Sequence, residues 1–139
     1  MKATILIILS LVFALLSTAS LTAADKPAGK KAAKPRLRHI VCFKFKEDAS
    51  EAQVNKVVRA FKALKNKIPG IVAFETGTNN SPEGLNKDFT HCFIVTFESE
   101  AAREAYLPHP EHMKFVEILK PVMDDVFVID YWINDRKPE

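Results

Sequence analysis

Apolar and polar residues alternate with two distinct periods along the last hundred positions of the chain. A period of two predicts four β-strands, at residues 38–45, 71–78, 88–97 and 126–133. A spacing of three and four predicts two amphipathic helices, at residues 51–68 and 100–119. The predicted order of elements is therefore β-α-β-β-α-β.

The ends of the two helical segments carry recognisable signals. Ser50 and Gln53 have the spacing of a capping box, and Pro69-Gly70 follows the last apolar position of the first helix. Ser99 opens the second segment, and Pro121 closes it. These signals support helix boundaries near the limits that the periodicity sets.

This element order predicts an α+β fold of ferredoxin-like type. Right-handed crossovers give a four-stranded antiparallel sheet with both helices on one face. Two helices leave the other face uncovered, although that face is too apolar to remain in water. We therefore expect a homodimer that forms through the sheet face, since twofold dimers are the commonest oligomers. The apolar residues of that face are Ile40, Ile94, Phe127, Ile129 and Tyr131.

The second helical segment is interrupted by the sequence EAYLPHPEHMKF at residues 104–115. Proline is excluded from a helix interior but fits the first position, so Pro110 predicts a break at residues 107–109 and a new helix. His112 then falls in the first turn, on the same stripe as Phe115, and points inward. A helix N-terminus and burial both disfavour imidazolium, which leaves a neutral ring able to accept a proton.

Three further polar side chains are expected near His112. Tyr106 offers a hydroxyl across the break, while His39 and Asp130 lie on the helix-facing sides of the first and last strands. A carboxylate on an apolar face needs a partner. The functional hypothesis is that His112 acts as a general base oriented by Asp130, with Tyr106 as acid or carbonyl-polarising donor. The alternative is a buried polar network that only stabilises the helix break.

The same hypothesis predicts a pocket between the helices and the sheet for a small apolar or aromatic ligand. Its expected lining consists of Val41, Phe43, Phe61, Phe93, Leu107, Phe115 and Val128. A packed interior at these positions would instead favour a protein without catalytic activity.

Composition and the N-terminal region complete the domain organisation. The 139 residues, 47% hydrophobic and 27% charged, suit one globular domain, which we place at residues 38–134 with a polar tail at 135–139. Residues 1–24 have the order of a secretory signal, with an apolar run too short to cross a bilayer comfortably. We expect an exported protein, periplasmic or secreted, without membrane association after signal removal. A retained N-terminal anchor is the alternative.

Residues 25–37 are rich in lysine and predict a flexible basic linker or, alternatively, a tether to an acidic surface.

Other classes of site find little support. The histidines lack metal-ligand spacing, so we predict neither a metal nor a cofactor. Nucleic-acid binding is not expected, because Cys92 and Ile94 occupy the sheet face where stacking aromatic residues would be needed. Cys42 and Cys92 are expected on neighbouring strands and on the same face. They are either a disulfide or two small buried hydrophobic residues.

Four segments carry a resemblance to a known family, and they cover residues 39–132. HIVCFKFK, FTHCFIVTFES, AYLPHPEHMKF and VIDYW resemble, in this order, the stress-responsive A/B barrel (Dabb) family of the dimeric α/β-barrel superfamily. The resemblance implies a ferredoxin-like protomer that dimerises through its sheets into a dimeric α/β barrel.

One branch of this family is similar to plant polyketide cyclases, in which a tyrosine and a histidine promote an intramolecular aldol condensation. The matching positions here are Tyr106 and His112. The resemblance thus implies cyclase- or lyase-type acid-base chemistry on a carbonyl or polyketide-like compound. A non-catalytic dimeric stress-response or scaffold protein is the alternative.

Overall fold

The computed structural model describes residues 35–133. Its elements are β1 (Arg36–Phe45), α1 (Glu51–Ala63), β2 (Ile71–Thr78), β3 (His91–Phe97), α2 (Glu100–Tyr106), α3 (Pro110–Leu119) and β4 (Met123–Ile133). The predicted signal at 1–24, most of the predicted linker and the tail at 135–139 lie outside the described residues.

The four strands form a single sheet in the order β2-β3-β1-β4. Every neighbouring pair is antiparallel, with β1 and β3 in the centre and β4 at one edge. This order belongs to a ferredoxin-like sheet. The predicted α+β fold is therefore confirmed, including the two crossovers through helices.

The helix signals in the sequence correspond to observed caps. Ser50 accepts a hydrogen bond from the Gln53 amide, and the Gln53 side chain accepts one from the Ser50 amide, which completes the capping box. The α-helix ends at Ala63, earlier than predicted, and continues as a 3-10 turn over Leu64–Asn66. Ile68 nevertheless remains in the core, at 4% exposed.

Three strand boundaries differ from the predictions, and one of them is the start of β4, at Met123 instead of residue 126. β1 begins at Arg36, because Leu37 continues the alternation and is buried opposite Phe97, so the basic linker ends earlier than residue 37. β3 begins at His91 instead of residue 88. Lys87 and Asp88 have φ angles of 48° and 63°, in the left-handed region that strands exclude.

The core lies between the helices and one face of the sheet. Phenylalanines dominate it, and Phe61 of α1 stacks on Phe115 of α3 with ring centroids 4.4 Å apart. Phe43 and Phe93 contribute from the two central strands and are almost fully buried. Burial of each aromatic side chain stabilises the fold by roughly 2–3 kcal/mol.

The opposite face of the sheet is open to solvent in the single chain. Phe127, Ile129 and Tyr131 of β4 are each between 43% and 47% exposed there. The helix-facing side of the same strand is also half-exposed, at Val126, Val128 and Trp132. Among residues 35–133, no helix is long and apolar enough to cross a membrane.

Candidate acid-base site at the helix break

The predicted break between two helices is confirmed. α2 ends at Tyr106, and Pro110 begins α3 at the first helical position. His109 has the extended backbone that a residue before proline favours, and its Nδ1 accepts a hydrogen bond from the Glu111 amide at 3.1 Å. The break places the first turn of α3 beside the end of α2.

His112 is held by the carbonyl of Leu107, which lies in this break. Its Nδ1 is 2.9 Å from the Leu107 oxygen, and a carbonyl only accepts hydrogen bonds, so Nδ1 carries the proton. In the neutral ring, Nε2 therefore has a free lone pair. Burial lowers the pKa of His112 despite the opposing effect of this hydrogen bond, and His39 and His109 lower it further. His112 is thus neutral at pH 7.

Tyr106 lies against His112 and is 1% exposed. The two ring centroids are 4.2 Å apart, and the ring of His39 approaches Tyr106 edge-on at 6.0 Å. Burial raises the pKa of the Tyr106 hydroxyl well above its ordinary value. The hydroxyl consequently stays protonated at neutral pH and can donate a hydrogen bond.

Asp130 binds two cationic or polar partners. Its Oδ1 is 2.6 Å from Nδ1 of His39, and its Oδ2 accepts a hydrogen bond from Arg103 at 2.6 Å. Burial opposes ionisation of the carboxyl, but the hydrogen bonds from Arg103 and His39 outweigh it and lower the pKa of Asp130. Both carboxylate oxygens of Asp130 therefore bind residues other than His112. The expectation that Asp130 orients His112 is corrected, since the Leu107 carbonyl has that role.

The residues expected to line a pocket divide into two groups. Five of them, Val41, Phe43, Phe61, Phe93 and Phe115, are at most 5% exposed and pack against each other in the core. Leu107 and Val128 are 47% and 48% exposed. The phenylalanines thus fill the space between α1 and the sheet where a pocket was predicted, while Leu107 and Val128 lie exposed at the surface.

A cavity of about 620 Å³ lies on the outer side of the sheet, away from the helix break. Residues of the β2–β3 loop form its rim, and Cys42, Cys92 and Phe127 contribute to its lining. It is separate from the candidate acid-base site.

Arg103 is the residue of this network that the sequence analysis missed. It lies three residues before Tyr106 on α2 and also binds Glu100 at 3.0 Å. The sequence could have indicated this role, because Arg103 is on the same side of the helix as Tyr106. Asp130, on the helix-facing side of the last strand, was a carboxylate in need of a partner. No group of three or more His, Cys, Asp or Glu side chains is placed to hold a metal within residues 35–133.

Comparisons with known proteins agree with this fold. The family model described as the stress responsive A/B barrel domain (Dabb) matches residues 37–133. The Arabidopsis thaliana stress-response A/B barrel domain-containing protein HS1 is 35% identical over 71% of this chain and 91% of its own length. Olivetolic acid cyclase from Cannabis sativa is 27% identical over 68% of this chain and 94% of its own. The resemblance noted in the sequence is confirmed.

Solved structures of other proteins have the same fold. A hydroxynitrile lyase from Passiflora edulis superposes with a TM-score of 0.68 at 28% identity, over 74% of this chain and 97% of the lyase. A protein of unknown function from Bacteroides fragilis, described as dimeric with a ferredoxin-like fold, has a TM-score of 0.58 at 26% identity. That match covers 70% of this chain and 96% of the other.

Proposed function

Because the chain belongs to the stress-responsive A/B barrel (Dabb) family, we propose that it is a homodimer whose Tyr106 and His112 perform acid-base chemistry on a small carbonyl compound. The observation that carries this proposal is the state of His112. Its ring is neutral, with Nδ1–H bound to Leu107 and Nε2 free, and it lies beside a protonated Tyr106. These are the states that a general base and a hydrogen-bond donor require.

The proposed reaction begins with proton removal next to the carbonyl. Nε2 of His112 takes the proton from the carbon beside the carbonyl, and negative charge develops on the carbonyl oxygen. The Tyr106 hydroxyl donates a hydrogen bond to that oxygen and stabilises the developing charge. The resulting imidazolium then returns its proton to the product. Relatives named as a cyclase and as a lyase support the view that this fold accommodates catalysis.

The packed interior restricts the size of the substrate. Phe61 and Phe115 fill the space beneath the helices, so we propose that a ligand approaches from the exposed side at Leu107 and Val128. A filled interior leaves more room for a compact ketone or β-keto compound than for a long polyketide chain. The site is therefore proposed for small carbonyl compounds.

A non-catalytic dimeric scaffold is the second candidate function, and the same packing favours it. Phe61 and Phe115 are stacked at 4.4 Å and Tyr106 is itself part of the core, so the interior beside the site is filled. In this case, Tyr106, His112 and their neighbours would serve only to stabilise the helix break.

Exchange of carbon-bound protons with D₂O distinguishes the two candidates. The full chain is incubated with a panel of small ketones and β-keto compounds, and loss of the α-proton signal is followed by NMR. The His112→Ala and Tyr106→Phe variants should each lower the enzyme-dependent rate about 100-fold or more. His109→Asn is the matched control, because asparagine preserves the helix cap close to the site.

The pH dependence adds an independent readout. Since the pKa of His112 is lowered, the exchange rate should fall to half of its plateau at a pH below 6.5, the value at which an ordinary histidine is half protonated. A wild-type rate equal to that of His112→Ala across the panel would contradict the catalytic proposal and support the scaffold.

The homodimer is proposed on the basis of the open sheet face. Phe127, Ile129 and Tyr131 form an apolar surface that a second copy of the sheet would cover. The dimeric description of a structural neighbour from Bacteroides fragilis supports the same arrangement.

Export is proposed from the sequence of the first 24 residues alone. Their charged start, apolar run and small residues before Asp25 are typical of a cleaved signal. When the full chain is expressed in a bacterium, we expect the periplasmic fraction to contain a protein whose intact mass corresponds to cleavage after Ala24. Recovery of the uncleaved chain from the cytoplasmic fraction would contradict export.

A further inference from the structure

Cys42 and Cys92 face each other across the two central strands of the sheet. They are direct partners in the antiparallel register of β1 and β3. Directly opposed residues in such a pair have Cα atoms about 4.5–5.5 Å apart, and a disulfide joins Cα atoms about 4.4–6.8 Å apart. Diagonal neighbours, at about 7–8 Å, would be too distant. The observed register therefore meets the distance requirement that sequence alone left open.

The surroundings of the two thiols allow a small molecule to reach them. Both cysteines are partly buried and free, and both line the cavity of about 620 Å³ on the outer side of the sheet. Phe89 and Phe127 contribute apolar surface to the same cavity, and its rim is formed by polar loop residues. The pair is thus neither sealed in the core nor placed at a fraying edge.

We propose that Cys42 and Cys92 are a redox modification site that forms an intramolecular disulfide by exchange with a small soluble disulfide such as oxidised glutathione. One cysteine thiolate attacks a glutathione sulfur, forms a mixed disulfide and releases one glutathione thiol. The second cysteine thiolate attacks the cysteine sulfur of that mixed disulfide and releases the other. The protein loses two protons and two electrons, and one oxidised glutathione becomes two thiols.

Burial and the adjacent Cys92 raise the pKa of Cys42 to about 11. Little thiolate is present at neutral pH, so oxidation of the folded protein should be slow and should accelerate as pH rises. During folding the thiols are more accessible. The bond is therefore expected to form most readily while the chain folds, before a partner subunit covers the outer face.

The disulfide would connect β1 to β3 and close a loop that contains α1 and β2. Crosslinks across long loops restrict the unfolded chain and stabilise the folded one. We expect the oxidised protein to melt roughly 10 °C above the reduced protein, given the loop length and the size of the domain.

The test is refolding of the full chain from urea in a glutathione redox buffer, followed by intact-mass analysis and thiol titration. The expected product runs as a single chain on a denaturing, non-reducing gel. Its intact mass is lower than that of the reduced chain by two hydrogen atoms, and the titration finds no free thiols. Its melting temperature should fall when a reductant is added. Two free thiols in the refolded protein, a disulfide between two chains, or stable glutathione adducts on both cysteines would each overturn the proposal.

Serine variants show whether the disulfide itself causes the redox dependence of the melting temperature. Cys42→Ser and Cys92→Ser should each retain one thiol and lose the redox dependence of the melting temperature. The double serine variant should melt like the reduced wild type. If it instead retained the redox-dependent shift, the disulfide would not be its cause. Carbonyl exchange at His112 is a separate readout, so failure of either proposal leaves the other testable.

Discussion

His39 and Asp130 are paired both through the backbone and through their side chains. They are Cα partners in the register of β1 and β4, and Nδ1 of His39 is 2.6 Å from Oδ1 of Asp130. Arg103 binds the second oxygen of the same carboxylate. This network connects the edge strand to α2 and holds the His39 ring against Tyr106.

Replacing Asp130 with asparagine should weaken the fold in a pH-dependent manner. The variant loses two charge-assisted hydrogen bonds, and we expect the free energy of unfolding at pH 7 to decrease by about 2 kcal/mol. The folded-state pKa of Asp130 is lowered, so its stabilising effect is present above the ordinary value of 3.8 and is lost as pH falls through the folded-state pKa. Urea unfolding of wild type and Asp130→Asn at several pH values measures this. An equal difference at pH 7 and at low pH would contradict the assignment.

Removing the Arg103 charge should raise the pKa of Asp130. In Arg103→Gln, one of the two hydrogen bonds that favour the carboxylate loses its charge, so the carboxyl titrates closer to its ordinary range. Carbon-13 NMR of the carboxyl follows this titration. Arg59→Gln is the control, because Arg59 is an exposed arginine on α1. An unchanged Asp130 pKa in Arg103→Gln would show that His39 alone accounts for the shift.

Adjacent residues on β4 provide a matched test of the dimer. Ile129 points to the outer face and Val128 to the helix-facing side, and their exposed fractions are nearly equal, at 45% and 48%. Ile129→Lys should convert the dimer to a monomer, because a charge would be buried between two sheets. Val128→Lys should remain dimeric. Light scattering at micromolar concentration measures both, and a monomeric wild type would contradict the homodimer.

Gly70 is expected to tolerate no side chain. Its φ angle is 87°, and a Cβ atom would come within 2.5 Å of the Ala102 Cβ on α2. Gly70→Ala should therefore reduce the free energy of unfolding by about 3 kcal/mol through backbone strain and overpacking. Gly77→Ala is the control, since a Cβ there meets no atom within 4 Å. Similar losses in urea unfolding for the two variants would rule out the close contact as the cause.

Local signals in the sequence predicted both the helix break and the positions of Pro110 and His112 within it. Pro110 has no amide hydrogen and a restricted φ angle, so the restart of α3 and the inward position of His112 follow from short-range sterics. The alternation of β1 likewise placed His39 on the helix-facing side. Such features depend on residues within a few positions of each other, which is why the order of elements and most of their limits were predictable.

The partners within the site depended on contacts between distant segments. Asp130 lies 91 residues from His39, and its choice of His39 and Arg103 instead of His112 follows from the strand register and the packing of α2. The Leu107 carbonyl that holds His112 has no signal in the sequence, because every residue carries such a group.

The sequence by itself therefore determined the element order, the helix break and the side of the sheet on which each candidate residue lies. Tertiary structure decided which of these residues bind one another, how far phenylalanines fill the interior, and that Cys42 faces Cys92. The physical reason is the distance along the chain over which each interaction acts. Periodicity and capping act between near neighbours, while strand register and side-chain packing are selected only when the whole core assembles.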